Sequence, residues 1–141
     1  MGKSKVFFDT NILLYLLSED HEKADCSENL ISLGGVISVQ VLNEFVSVAS
    51  RKLKMRYLEI RDILNSIRTI VTVQTMNVET HDTGLDIAEK YKFSFYDSLT
   101  IASALEAGCD ILYTEDLQRK QRIENRLTIV LMSALIMRHN K

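Results

Sequence analysis

Proline and tryptophan are absent from this 141-residue sequence, and glycine occurs only five times. Proline and glycine are among the residues that build linkers and low-complexity segments, and we find no such segment joining two domains. We also find no internal repeat, and the length is ordinary for one folded unit with its own core. The sequence therefore predicts a single domain over residues 1–141.

Long apolar runs and abundant cysteine are missing too. No apolar segment approaches the roughly 20 residues that span a membrane, and the first one, residues 6–8, ends at Asp9 and is too short for a secretory signal. The two cysteines, Cys26 and Cys109, suggest reduced structural thiols, with a disulfide or redox pair as the alternative. These absences predict a cytoplasmic protein without a membrane partner.

The chain also lacks an excess of positive charge, because its formal net charge is -2. Proteins that coat nucleic acid without reading its sequence are usually basic, which argues against that class. An enzyme that holds nucleic acid through a local basic patch stays compatible with this charge. Hydrophobic residues make up 46% and charged residues 26%, the proportions of a soluble globular protein.

What the sequence does contain is an alternation of short apolar segments with amphipathic ones. Strands that alternate with helices are typical of βαβ units around a parallel sheet, so we predict an α/β fold. The first helix would have Thr10 or Asn11 as its N-cap, and Gly84 would weaken the fifth. The predicted strands are 5–8, 36–39, 71–75, 110–114 and 128–132, and the predicted helices are 12–17, 20–33, 41–54, 56–70, 78–92 and 96–107.

Four acidic residues do not fit a solvated surface. Asp9 and Asp116 follow predicted strands, whose carboxyl ends meet at one edge of a parallel sheet, where ligands bind. Glu44 and Asp97 lie on apolar helix faces without a Lys or Arg partner, and a buried unpaired carboxylate is costly. Each acid alone is simply explained as a cap, a first-turn acid or a solvated rim residue. Together they predict a shared hard cation such as magnesium.

The segments "FFDTN", "NEF" and "YDSLTIASALEAGCDILYTEDLQ", in this order, resemble the PIN-domain ribonucleases, and within them the VapC-type toxins of toxin–antitoxin modules. The resemblance implies a three-layer α/β/α fold with a central parallel sheet, and hydrolysis of RNA with Mg²⁺ or Mn²⁺. It also implies an antitoxin partner and a homodimer. The metal-binding and catalytic residues would be Asp9, Glu44, Asp97 and Asp116, supported by Asn11 and Thr114.

Two basic clusters could hold RNA. We favour Arg119, Lys120 and Arg122, which follow Asp116 directly in a Gly-free segment where many relatives have a Gly-containing loop. The other cluster spans residues 51–56, and clusters of either kind are often only solvated. The three histidines have no partner at a ligand spacing, which argues against a two-histidine ribonuclease.

Two other readings of the resemblance stay open. One is a PIN nuclease that processes RNA without an antitoxin, and the other is a non-catalytic PIN-like module that binds RNA or protein. Retention of all four acids favours catalysis. A receiver domain would need a lysine after a late strand, and a dehalogenase-like phosphatase would need an aspartate where Asn11 stands, so both fit poorly.

Overall fold

Six strands and seven α-helices make up the computed structural model, which describes residues 4–115 and 121–139, the latter without the side chains of 121 and 137–139. The strands are β1 (Val6–Phe8), β2 (Gly35–Ser38), β3 (Val71–Gln74), β4 (Ile111–Thr114), β5 (Gln121–Ile123) and β6 (Leu127–Leu131). The helices are α1 (Thr10–Leu14), extended by a 3₁₀ turn (Tyr15–Leu17), α2 (His21–Ser32), α3 (Val39–Arg51), α4 (Tyr57–Arg68), α5 (Val78–Tyr91), α6 (Phe95–Glu106) and α7 (Met132–His139).

The strands form one sheet in the order β3-β2-β1-β4-β6-β5. All neighbours pair in parallel except β5 and β6, which are antiparallel. Connections between parallel strands are almost always right-handed. The chain runs from β1 out to β3 and then returns past β1 to β4, so α1–α4 cover one face and α5 and α6 the other. The predicted three-layer α/β/α fold with a central parallel sheet is confirmed, and the antiparallel edge strand β5 is an addition to it.

The core lies on both faces of the three central strands. Phe7, Phe8, Ile37 and Leu112 are completely buried, as expected for parallel strands covered on both sides. Gly35 opens β2 beside the neighbouring strand β1, and a Cβ atom there would lie 2.6 Å from the Phe8 ring. Glycine at this position therefore lets the Phe8 ring pack directly against the β2 backbone, one residue before the acidic Asp9.

Two predicted helix starts were wrong. The N-cap of α1 is Asp9, not Thr10 or Asn11, because the Asp9 carboxylate accepts from the Thr10 N–H. The helix predicted from residue 20 begins one residue later, because Asp20 is the N-cap of α2 and accepts from the N–H groups of Glu22 and Lys23. In both places an aspartate at a strand or turn end satisfies the otherwise unpaired N–H groups of a first turn.

Other predicted features differ in detail. Gly84 is not merely a weak point of α5, because a Cβ atom there would lie 2.9 Å from the Leu99 side chain of α6; the glycine lets the two helices approach closely. Strand β5 and helix α7 were not predicted.

No helix in the described ranges combines the length and apolar character that crossing a membrane requires.

Both cysteines are free thiols. Burial raises the pKa of Cys109 to about 11. Burial and the nearby Glu115 carboxylate also raise the pKa of Cys26. Both thiols are therefore held in the neutral form, which is the unreactive one.

Candidate active site

Asp9 lies where β1 ends, at the carboxyl edge of the sheet. Its N–H donates to the Tyr113 carbonyl oxygen at 3.0 Å, so pairing with β4 fixes its backbone. The side chain is only 7% exposed. Its Oδ1 accepts from the Thr10 N–H and its Oδ2 from the Thr114 hydroxyl, each at 2.7 Å. The carboxylate thus has one fixed orientation at the edge of the sheet.

Thr114, the last residue of β4, brings a second strand end to the same place. It is fully buried, and β4 is the direct neighbour of β1 in the sheet. The sequence prediction gave this hydroxyl a supporting role, and the structure places it in contact with Asp9. Asn11, the other predicted supporting residue, is half-buried in α1 two positions after Asp9.

Glu44 is joined to Asp9 through a single residue. Ser38 ends β2 and also caps α3, because its hydroxyl accepts from the Val41 N–H. Helix α3 therefore begins at the carboxyl edge, and Glu44 lies in its second turn. The Thr10 hydroxyl donates to Glu44 Oε2 at 3.2 Å, while the Thr10 N–H donates to Asp9. Thr10 thus bridges two of the predicted acids.

Gln40 completes this network. Its Nε2 donates to Glu44 Oε1 at 2.7 Å. Neither Thr10 nor Gln40 was predicted as a site residue. Signals for both were present: Thr10 stands inside "DTN", and Gln40 stands four residues before Glu44, the spacing at which two side chains share a helix face.

Asp97 lies in the first turn of α6, where its N–H donates to the hydroxyl of the N-cap Ser94. The helix ends beside the start of the sheet, because the Asp110 N–H, four residues after the helix, donates to the carbonyl oxygen of Lys5, which directly precedes β1. Since a crossover helix runs antiparallel to the strands it joins, Asp97 belongs at the opposite end, the carboxyl edge. Its side chain is half-buried.

Three predicted site residues, Asp116, Arg119 and Lys120, lie outside the described residues. Arg122, the third predicted RNA-binding residue, is exposed on β5. The structure therefore brings Asp9, Glu44 and Thr114 into one hydrogen-bonded network and puts Asp97 at the same edge. Within residues 4–115 and 121–139, no three acidic, histidine or cysteine side chains are grouped closely enough to hold a metal ion.

The donor chemistry of the network nevertheless fits a hard divalent cation. The atoms that could bind a cation are the carboxylate oxygens of Asp9 and Glu44. Neutral side chains donate hydrogen bonds to both carboxylates. Neither Glu44 nor Asp97 forms an ion pair with a lysine or arginine of the described residues. Magnesium and manganese prefer such oxygen sets, and magnesium often takes only one or two carboxylates and several waters.

Comparison with known proteins agrees with this fold. The model of the PIN domain family matches residues 6–124. The match contains Asp9, Glu44, Asp97 and Asp116 and ends before β6 and α7. No curated protein matches the sequence significantly.

Solved structures resemble the chain at low sequence identity. A toxin–antitoxin complex from Klebsiella pneumoniae has a TM-score of 0.69 at 19% identity, covering 91% of this chain and 98% of that one. VapBC2 from Rickettsia felis, bound to a DNA fragment from its promoter, has a TM-score of 0.64 at 18% identity, covering 89% and 97%. VapC20 of Mycobacterium tuberculosis, a toxin that cleaves the sarcin-ricin loop, has a TM-score of 0.62 at 16% identity, covering 77% and 87%.

Proposed function

Because the chain belongs to the PIN domain family, we propose that it is a metal-dependent endoribonuclease, the VapC-type toxin of a type II toxin–antitoxin pair. The observation that carries the proposal is the buried Asp9 carboxylate, held at the carboxyl edge of the sheet and joined through Thr10 to Glu44. Similarity to structures of toxin–antitoxin complexes supports the toxin assignment.

Hydrolysis of RNA requires a water molecule aligned with the phosphorus atom and stabilisation of the charge that develops on the phosphate. A bound Mg²⁺ or Mn²⁺ ion supplies both, because it lowers the pKa of bound water and neutralises negative charge. Asp9 would be the central ligand. Glu44 and Asp97 would complete the coordination of the ion directly or through water. Asp116 would hold a second ion or orient water.

The protein's own contribution is to fix these carboxylates before the substrate arrives. Thr114 and Thr10 each donate to Asp9, from two sides, and so restrict the orientation of its carboxylate. Preorganised charge of this kind stabilises a transition state more than mobile groups do. RNA would reach the site along the basic segment that follows Asp116, which contains Arg119, Lys120 and the exposed Arg122.

The proposed partners are an antitoxin and a second copy of the chain. A groove of about 310 Å³ lies between α3 and α4, and α3 also carries Glu44. An antitoxin segment bound along this groove would contact the face of α3 opposite Glu44, because Leu42 and Val46 lie about half a turn from Glu44 on the helix. The groove combines an apolar lining with arginines and is formed by Leu42, Val46, Tyr57, Ile60, Arg61, Leu64, Asn65 and Arg68. These arginines favour an antitoxin segment with acidic residues beside its apolar ones.

The metal-dependent part of the proposal is tested by titrating the purified, partner-free protein with Mn²⁺ and Mg²⁺ by calorimetry. We expect Asp9→Asn to bind much more weakly than the wild type, because it removes the central negative charge but keeps the side-chain shape. Undiminished binding by a folded Asp9→Asn variant would contradict the assignment of Asp9. A wild type that binds neither ion would favour a non-catalytic binding module.

A further inference from the structure

The carboxylate of Glu44 is held on both oxygens by donors from two different elements. Gln40, one turn earlier on α3, donates to Oε1 at 2.7 Å, and Thr10, from the neighbouring α1, donates to Oε2 at 3.2 Å. Helices α1 and α3 pack against each other. The orientation of Glu44 therefore depends on a helix-surface pair and on the packing of α1 against α3 together.

The Gln40 bond is the shorter of the two, and a carboxylate acceptor makes it a charge-assisted hydrogen bond. Gln40 is also a neutral donor. A lysine or arginine at this position would form an ion pair and cancel the negative charge of Glu44, whereas an amide orients the carboxylate and leaves its charge for another cation. Each carboxylate oxygen keeps a further lone pair after accepting one hydrogen bond.

We propose that Gln40 is a positioning residue that, together with Thr10, orients Glu44 towards a divalent cation. This inference rests on the proposed function, in which Glu44 belongs to the metal site. Residues that hydrogen-bond to metal ligands typically change metal affinity about 10- to 100-fold when they are replaced. A purely structural Gln40–Glu44 pair would support α3 and leave the cation affinity unchanged.

The test is a double-mutant cycle on the dissociation constant for Mn²⁺, measured by calorimetry with the full chain. The variants are Gln40→Met, which keeps the side-chain length without the amide donor, Glu44→Ala, and the double variant. We expect Gln40→Met to weaken binding roughly 10-fold and to add nothing further once Glu44 is removed. Asn43→Ala, at an exposed position of the same helix, is the matched control and should bind like the wild type.

A second pair of variants covers the other donor. Thr10→Ser keeps the hydroxyl and should retain the wild-type affinity, whereas Thr10→Val should lose affinity. Thermal unfolding in EDTA is measured for every variant. Because EDTA removes divalent cations, the unfolding temperature then reports the stability of the protein alone, and calorimetry reports metal binding separately.

The outcomes separate this inference from the proposed function. Wild-type affinity in folded Gln40→Met would overturn the positioning role while leaving the metal site in place. An equal loss in the presence and absence of Glu44 would overturn it too, because Gln40 would then act by another route. A wild type that binds no divalent cation would overturn the proposed function itself.

Discussion

Replacement of Thr114 by valine tests how strongly the Asp9 carboxylate is held. The Thr114 hydroxyl is fully buried and donates to Asp9 Oδ2 at 2.7 Å, and valine has nearly the same shape without the donor. A hydrogen bond to a charged group contributes about 1.5–3 kcal/mol, and a buried carboxylate that loses a donor cannot recover it from bulk water. We therefore expect Thr114→Val to lower the free energy of unfolding by about 1.5–3 kcal/mol.

The assay is urea unfolding in EDTA, followed by circular dichroism, with the slope of the transition checked for two-state behaviour. In thermal unfolding the same loss corresponds to a fall in Tm of roughly 5–10 °C for a chain of this size. Thr100→Val is the control, because Thr100 is also buried but its hydroxyl donates to the neutral Tyr96 carbonyl oxygen at 3.3 Å. If Thr114→Val costs no more than Thr100→Val, the reasoning that Asp9 is held by Thr114 is refuted.

Three further predictions concern other parts of the molecule. Because burial raises the pKa of Cys109 from 9.0 to about 11, the unfolded thiol ionises first, so stability should fall between pH 9 and about 11; Cys109→Ala should remove that component, as urea unfolding at both pH values would show. Charge reversal of Arg119 and Lys120 to Glu should weaken RNA binding and flatten its salt dependence; an unchanged affinity and salt slope would place the RNA elsewhere. Tyr57→Glu, at a side chain that is 69% exposed, should weaken antitoxin binding tenfold or more without changing cleavage by the free protein; unchanged binding would exclude the groove between α3 and α4.

The features that the sequence predicted well are those with a strong local signal. The apolar strand segments are buried on both faces, so the parallel sheet and the position of Asp9 at its edge followed from pattern alone. The half-buried Glu44 was recognisable because one acid interrupts an apolar helix face.

The features that it missed depend on contacts between distant segments. Strand β5 has only three residues, of which Gln121 and Arg122 are polar and Ile123 is apolar and buried, and it lies at the edge of the sheet beside β6, so it lacks the apolar pattern of the central strands. Helix α7 packs on α2, more than 90 positions earlier, and its N-terminal Ser133 N–H donates to the Glu115 carboxylate. The role of Gln40 likewise requires knowing that Glu44 turns towards α1.

The most direct test of the proposed nuclease is cleavage of a mixed RNA pool by the purified, partner-free protein in magnesium, manganese or EDTA, beside Asp97→Asn. Asp97 makes a suitable probe because its side chain is half-buried at the start of α6, and the substitution keeps its shape and its N–H bond to Ser94. We predict cuts that require the divalent ion and disappear in the variant. Equal cutting by Asp97→Asn, or no cutting by folded, metal-loaded wild type across pools of transfer, ribosomal and messenger RNA, would contradict the account.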